Sequence, residues 1–292
     1  MLADALYLSG ALRESETTAL EALRMAREQG DTWWQAVVLC RLGLVSAARG
    51  ITNLSPDPLG HALLLFGNKL LAPYREGGTK AIMAQRDLWQ GGPATAYALA
   101  QSAWELAQVK RFERDFIRAA RLKGSAALGL DDLITADERL HHALTRAQRV
   151  NYVEEELPAL IALADLRRQE GKPDEAREFL DDVWDPAERG PYPLFHADAF
   201  NVLAQIERDS GNTSLTIEAA TRAYRLAWCD GPPFAYHWGL VAAKKHLQEV
   251  GAPEPEMPPF DESKFEPMPE VEIDPDDEFH TSNGSTNERT IG

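Results

Sequence analysis

The chain has 292 residues, 44% of them hydrophobic and 26% charged, which is the composition of a folded protein and excludes a disordered polymer. Forty-six acidic residues against 30 lysines and arginines give a net charge of −16. That balance argues against a nucleic-acid backbone or an anionic membrane surface as the main partner and favours a basic one.

The apolar residues recur at helical spacing throughout, valine and isoleucine are sparse beside alanine and leucine, and no period-two run stands out, so the chain reads as all-α. Residues 2–9 and 16–29 form a first hairpin that turns near Gly10. Trp33 to Ala48 is the next helix, stopped at Gly50, and a proline-containing linker leads to a partner over 61–74. That partner is apolar nearly all round (Leu63, Leu64, Leu65, Phe66, Leu70 and Leu71), a pattern of deep burial or of self-association. Glu76-Gly77-Gly78 reads as a break, after which 79–90 pairs with 94–110, and 111–128 with 131–149.

The clearest hairpin follows. Leu157, Leu160, Ile161, Leu163 and Ala164 make one helical face that ends at Gly171. Pro173 reopens the chain into a helix carrying Ala176, Phe179, Leu180, Val183 and Trp184. A sixth hairpin spans 194–210 and 214–229, the stop Asp230-Gly231-Pro232-Pro233 comes next, and 234–250 forms an unpaired capping helix. One hairpin cannot bury both its faces, so neighbours must stack on it. The glycines at 10, 50, 91 or 92, 129, 171, 211 and 251 step along the chain at about 40 residues, the interval of a solenoid.

The pattern Leu160-x2-Leu163-Ala164-x6-Gly171-x4-Ala176-x3-Leu180 resembles the tetratricopeptide repeat, best over 131–251 and loosely before it. The longer step is similar to that of the arrays that end bacterial STAND-class NTPases and MalT-like regulators. The resemblance implies a right-handed superhelix of about six hairpins, with protein or peptide binding on the concave face formed by the first helix of each pair. At the non-packing positions of those helices it places Ile161, Asp165 and Arg168 in one repeat, Asp198, Asn201, Gln205 and Arg208 in the next, and Trp238 and Lys245 in the last helix. Asn201 and Gln205 would bond a peptide backbone, and Arg168, Arg208 and Lys245 would hold carboxylates.

No catalytic set accompanies this. The chain has no G-x4-G-K-[ST] loop, no H-E-x-x-H and no C-x2-C pair, and the adjacent His141 and His142 point about 100° apart on a helix. The expectation is a binding scaffold without enzymatic activity, cofactor or metal; the alternatives are a detached sensor array of a STAND-type system and, third, an enzyme whose catalytic set the sequence does not display. Residues 1–11 lack the basic start and cleavage pattern of a secretory leader, and the longest apolar run, 62–66, is too short for a bilayer. Cys40 and Cys229 read as reduced thiols, and the cytoplasm is the expected location. Beyond Gly251, seven prolines and 12 acidic residues over 252–292 predict a largely disordered tail, although Met257, Phe260, Phe265, Met268, Val271, Ile273 and Phe279 would also suit an extended strap docked in cis or in trans.

Overall fold

The computed structural model describes residues 2–110 and 112–273. Among them are thirteen α-helices and no strand: α1 (Leu2–Leu8), α2 (Leu12–Glu28), α3 (Thr32–Ala48), α4 (Pro58–Leu64), α5 (Pro73–Trp89), α6 (Pro93–Lys110), α7 (Glu113–Leu128), α8 (Leu133–Arg149), α9 (Val153–Gln169), α10 (Pro173–Arg189), α11 (Pro193–Asp209), α12 (Thr213–Trp228) and α13 (His237–Glu249). They make six hairpins and a final helix, an all-α solenoid. Each helix packs on its successor, and each odd-numbered helix also packs on the next odd-numbered one. The odd helices therefore form an inner layer and the even ones an outer layer.

The repeat has a finer beat than its hairpins. From α5 to α12, helices begin at 73, 93, 113, 133, 153, 173, 193 and 213, one start every 20 residues. After ten of the thirteen helices a single residue with positive φ reverses the chain: Gly10, Gly30, Gly50, Leu71, Gly91, Asp131, Asn151, Gly171, Gly211 and Gly251. The residue after it reaches back to close a six-residue loop. The Lys172 N–H donates to the Arg167 carbonyl (2.9 Å), Asn212 to Glu207 (2.8 Å) and Ala252 to Leu247 (2.9 Å). These are Schellman closures, in which the left-handed residue lets the chain leave the helix with its last carbonyls satisfied.

Two glycine assignments are corrected. Gly129 keeps an ordinary φ, and Asp131 takes the left-handed position instead. A side chain at Gly129 would stand 2.9 Å from Pro93 Cβ, so glycine serves close packing there. Glu76-Gly77-Gly78 is no break but lies inside α5, where a Cβ at Gly77 would approach Leu106 Cβ to 3.3 Å. The run expected as a helix over 61–74 divides into α4, a π turn over Leu65–Lys69 and the start of α5. Leu59, Ala62, Leu65 and Phe66 are buried within the chain itself, leaving Leu64 and Leu71 exposed. The last helix begins at His237, because Phe234, Ala235 and Tyr236 form a turn buried in the core.

The array curls until its ends meet. Trp238 on α13 donates its indole N–H to the Ala47 carbonyl of α3 (2.7 Å) and stacks on Trp89 of α5, ring centres 6.5 Å apart. Arg49 donates to the Pro233 carbonyl (3.0 Å), lies 4.0 Å from the Phe234 ring centre, and pairs with Glu16. The Arg13 N–H bonds Asp230 (3.0 Å). Leu12 and Ala48 belong to the same apolar cluster as Ala220, Phe234 and Leu240. The final helix thus caps the array and also closes it onto its own beginning.

The tail beyond Gly251, expected to be largely disordered, is placed as an extended strap as far as residue 273. Trp228 donates to the Pro258 carbonyl (2.9 Å), Tyr224 and Lys244 hold Glu254 (3.0 Å each), and Phe260 packs between Phe234 and Phe265. The strap then crosses to the other end of the chain. Arg13, 1% exposed, donates to the Glu266 carbonyl (3.0 Å), Arg27 donates to the Ile273 carbonyl (2.8 Å), and Met268, Val271 and Ile273 pack against the cluster of α2 and α3. Six apolar anchors spaced between prolines hold what proline content alone would leave loose. The expectation of disorder over 274–292 falls outside the described residues.

Candidate functional site

Because the ring closes, the inner helices surround a central cavity that stays half-open to solvent. The void is about 750 Å³ and is lined from all seven inner helices, among them Asp4 and Tyr7 of α1, Arg41 of α3, Gln85 and Trp89 of α5, Arg118 and Arg121 of α7, Asp165 of α9, Asp198 and Gln205 of α11, and Trp238 of α13. A smaller void of about 360 Å³ lies between α3, α5 and α7 and shares Arg41, Arg114 and Arg118 with it.

One wall is a self-satisfied charge network. Arg114, Arg118 and Arg121 follow one another at i, i+4 and i+7 and so share a face of α7. Glu155, only 3% exposed, accepts from the Nε of Arg118 (2.5 Å) and of Arg121 (2.6 Å), one guanidinium on each carboxylate oxygen. Arg118 also donates to the Tyr152 hydroxyl, and Arg121 to Gln85 Oε1 (3.2 Å). Burial alone would raise the Glu155 carboxyl, but the two arginines outweigh it and hold it below the usual carboxylate range. Arg114 lies 4.9 Å from the Tyr152 ring centre and pairs with no carboxylate among the described residues, so this wall can still receive an anionic group.

The α11–α13 wall is unsatisfied. Asp198 accepts one hydrogen bond, from the Tyr236 hydroxyl to Oδ2 (3.1 Å), and among the described residues no lysine, arginine or histidine pairs with it. Burial pushes its carboxyl up to about 7, with the Tyr236 bond pulling the other way. One turn along α11, the Asn201 side chain is 5% exposed. Its Nδ2 donates to the Gly239 carbonyl (3.0 Å), and since that carbonyl can only accept, the amide orientation is fixed and Oδ1 is left without a donor. Tyr7, Trp89, Tyr236 and Trp238 surround this end, with Trp89 edge-on to Tyr236 at 6.0 Å. The Tyr7 hydroxyl is driven well above its ordinary value by burial and then by the nearby Asp198.

Of the residues expected on the concave face, Asp165, Asp198, Asn201, Gln205 and Trp238 line the cavity, as does Ile161. Arg168, Arg208 and Lys245 do not, which corrects their placement. Arg168 bonds Asp165 and crosses from α9 to Asp209 at the end of α11 (2.7 Å each), while Arg208 crosses from α11 to Glu249 of α13. These arginines sit on the last turn of their helices, at the rim, and are spent tying one inner helix to the next. Lys245 is 70% exposed, 3.9 Å from Glu249. Trp238 has a second role that the repeat pattern could not announce, since its indole N–H belongs to the seam with α3.

The α7–α9 network was missed, yet its signal is in the chain. Stepping back from Gln205 by 40 residues names Asp165, Ser125 and Gln85; from Asn201 it names Ile161, Arg121, Ala81 and Arg41; from Asp198 it names Pro158 and Arg118. All of these line the cavity. No family model matches the chain, and no curated protein sequence shows significant similarity to it.

Proposed function

We propose that the chain is a non-enzymatic binding module whose ligand enters the central cavity. The observation that carries this reading is the convergence of all seven inner helices on one void of about 750 Å³, walled by aromatic rings and by polar groups that include the unpartnered Asn201 Oδ1. Voids of roughly 300–1,000 Å³ with that lining are the usual size and chemistry of ligand sites. A void of that size, bounded by the ring of inner helices, favours a small molecule or the end of a peptide over a long polypeptide laid along a groove. It therefore favours the sensor-array form of the tetratricopeptide and STAND-like reading over the open scaffold.

The test is a cavity-filling variant. Ala242 lines the void on α13, belongs to none of the apolar clusters and is half-buried. Ala242→Phe is expected to keep the fold, read by circular dichroism, while abolishing binding of whatever ligand is found by thermal-shift screening of metabolites and short peptides. A ligand that binds Ala242→Phe as well as the unaltered chain would place recognition on the outer surface and overturn the proposal.

A further inference from the structure

The two walls of the cavity hold charge in opposite conditions, and that difference names a ligand chemistry. On the α7–α9 side, two arginines and a glutamate satisfy one another. On the α11–α13 side, the Asp198 carboxylate lines the void with one hydroxyl donor on Oδ2 and no counter-ion among the described residues. Asn201 adds a second oxygen one turn away, buried and with no donor. A buried acceptor without a donor costs stability that a bound donor recovers. Around this end stand Trp89 and Trp238, near-parallel at 10° and fixed by the seam, with Tyr7 and Tyr236 beside them. Aromatic rings beside a half-buried carboxylate are surroundings that suit a protonated amine, by charge-assisted hydrogen bond and by contact with the rings. The net charge of −16 draws cations toward the molecule as well.

We infer that the cavity takes an alkylammonium group, seated on the Asp198 carboxylate at the Asn201 end of α11 and framed by Trp89, Trp238, Tyr7 and Tyr236. The inference rests on the reading of the cavity as the binding site. The amine can belong to a free polyamine or to a lysine side chain or amino terminus of a short peptide; the chemistry at Asp198 is the same.

The experiment uses the full chain and two pairs of probes. Cadaverine is titrated against 1-pentanol, and the acetylated tripeptide amide Gly-Lys-Gly against the same peptide with its lysine acetylated. Binding is followed by calorimetry and by tryptophan fluorescence, which Trp89 and Trp238 report. Three chains are compared: unaltered, Asp198→Asn, and Ala242→Phe. Asp198→Asn keeps the side-chain shape and an acceptor for Tyr236 but removes the charge.

The expected result is that at least one amine binds and its neutral counterpart does not. Asp198→Asn should weaken that binding by roughly 10–100-fold, and Ala242→Phe should abolish it. Cadaverine binding alone marks a free amine as the ligand, and peptide binding alone marks a lysine-bearing segment. Failure of both amines to bind the unaltered chain, or equal binding to Asp198→Asn, overturns the inference. In either case a screened ligand blocked by Ala242→Phe leaves the cavity as the binding site, so the two readings fail separately.

Discussion

The α7–α9 wall and the α11–α13 wall are built at the same positions of the same repeat, yet the carboxylate of one is satisfied by guanidiniums and that of the other is not. Arg118 and Asp198 occupy equivalent places two hairpins apart, as do Arg121 and Asn201. On the first wall the buried carboxylate has two guanidiniums, a tyrosine hydroxyl and a glutamine around it. On the second, Asp198 has a single hydroxyl donor and Asn201 has an oxygen with none. A satisfied buried network fixes architecture, whereas an unsatisfied one is kept at a cost to the fold. The contrast separates residues that hold the ring from residues that await something in it.

The largest expected effect tests the α7–α9 wall. Glu155→Ala leaves Arg118 and Arg121 facing each other without their shared carboxylate, and removing one member of a buried ion network costs about 3–5 kcal/mol. Denaturant unfolding should show that loss; a change within experimental error would mean that the network is ornamental. The α11–α13 wall should respond with the opposite sign. Asp198 has a folded pKa raised from 3.8 to about 7, with the Tyr236 hydroxyl on it and Tyr7 beside it. Between those values the folded state holds a proton that the unfolded state has released, so the fold loses stability as pH rises from about 4 to 7. Asp198→Asn removes that loss, and should stabilise the ligand-free chain by about 2 kcal/mol at pH 8 and hardly at all at pH 4. Equal effects at both pH values would show that the carboxylate is not held above its ordinary range. The smallest effect belongs to the seam that brings the walls together. Trp238→Phe keeps a ring against Trp89 but loses the donor to the Ala47 carbonyl, for a cost of about 1 kcal/mol. If its melting temperature equals that of the unaltered chain, the seam does not depend on that bond.

Much of this arrangement is legible in the chain because one spacing governs it. The glycines at 171, 211 and 251 each take the left-handed turn that their position announces, and Asp165, Asp198, Asn201, Gln205 and Trp238 line the void while Arg168, Arg208 and Lys245 do not. The earlier repeats were harder because their turn residues are chemically mixed. Leu71, Asp131 and Asn151 adopt positive φ without being glycine, and Gly77 and Gly129 are glycines that serve close packing. Glu155 stood among three adjacent carboxylates at a helix start, and only tertiary packing distinguishes it from its exposed neighbours. Closure was the least legible feature. Nothing local in Trp238, Arg49 or Arg13 says that the partner lies at the other end of the chain.

The strap over 252–273 has a consequence for how the array counts its repeats. An open solenoid is a linear lattice, to which a unit can be added at either end for the gain of one interface. Here the last helix meets α3 and α5, and the strap fastens onto Arg13 and Arg27 of α2, so the lattice has a periodic boundary. The number of hairpins is then set by geometry: one more or one fewer would turn Trp238 away from Ala47 and carry Glu266 out of reach of Arg13. A fray at either end must break the seam as well as a neighbour contact. The ring accordingly gains the all-or-none character of a globular domain from a sequence written as a repeat.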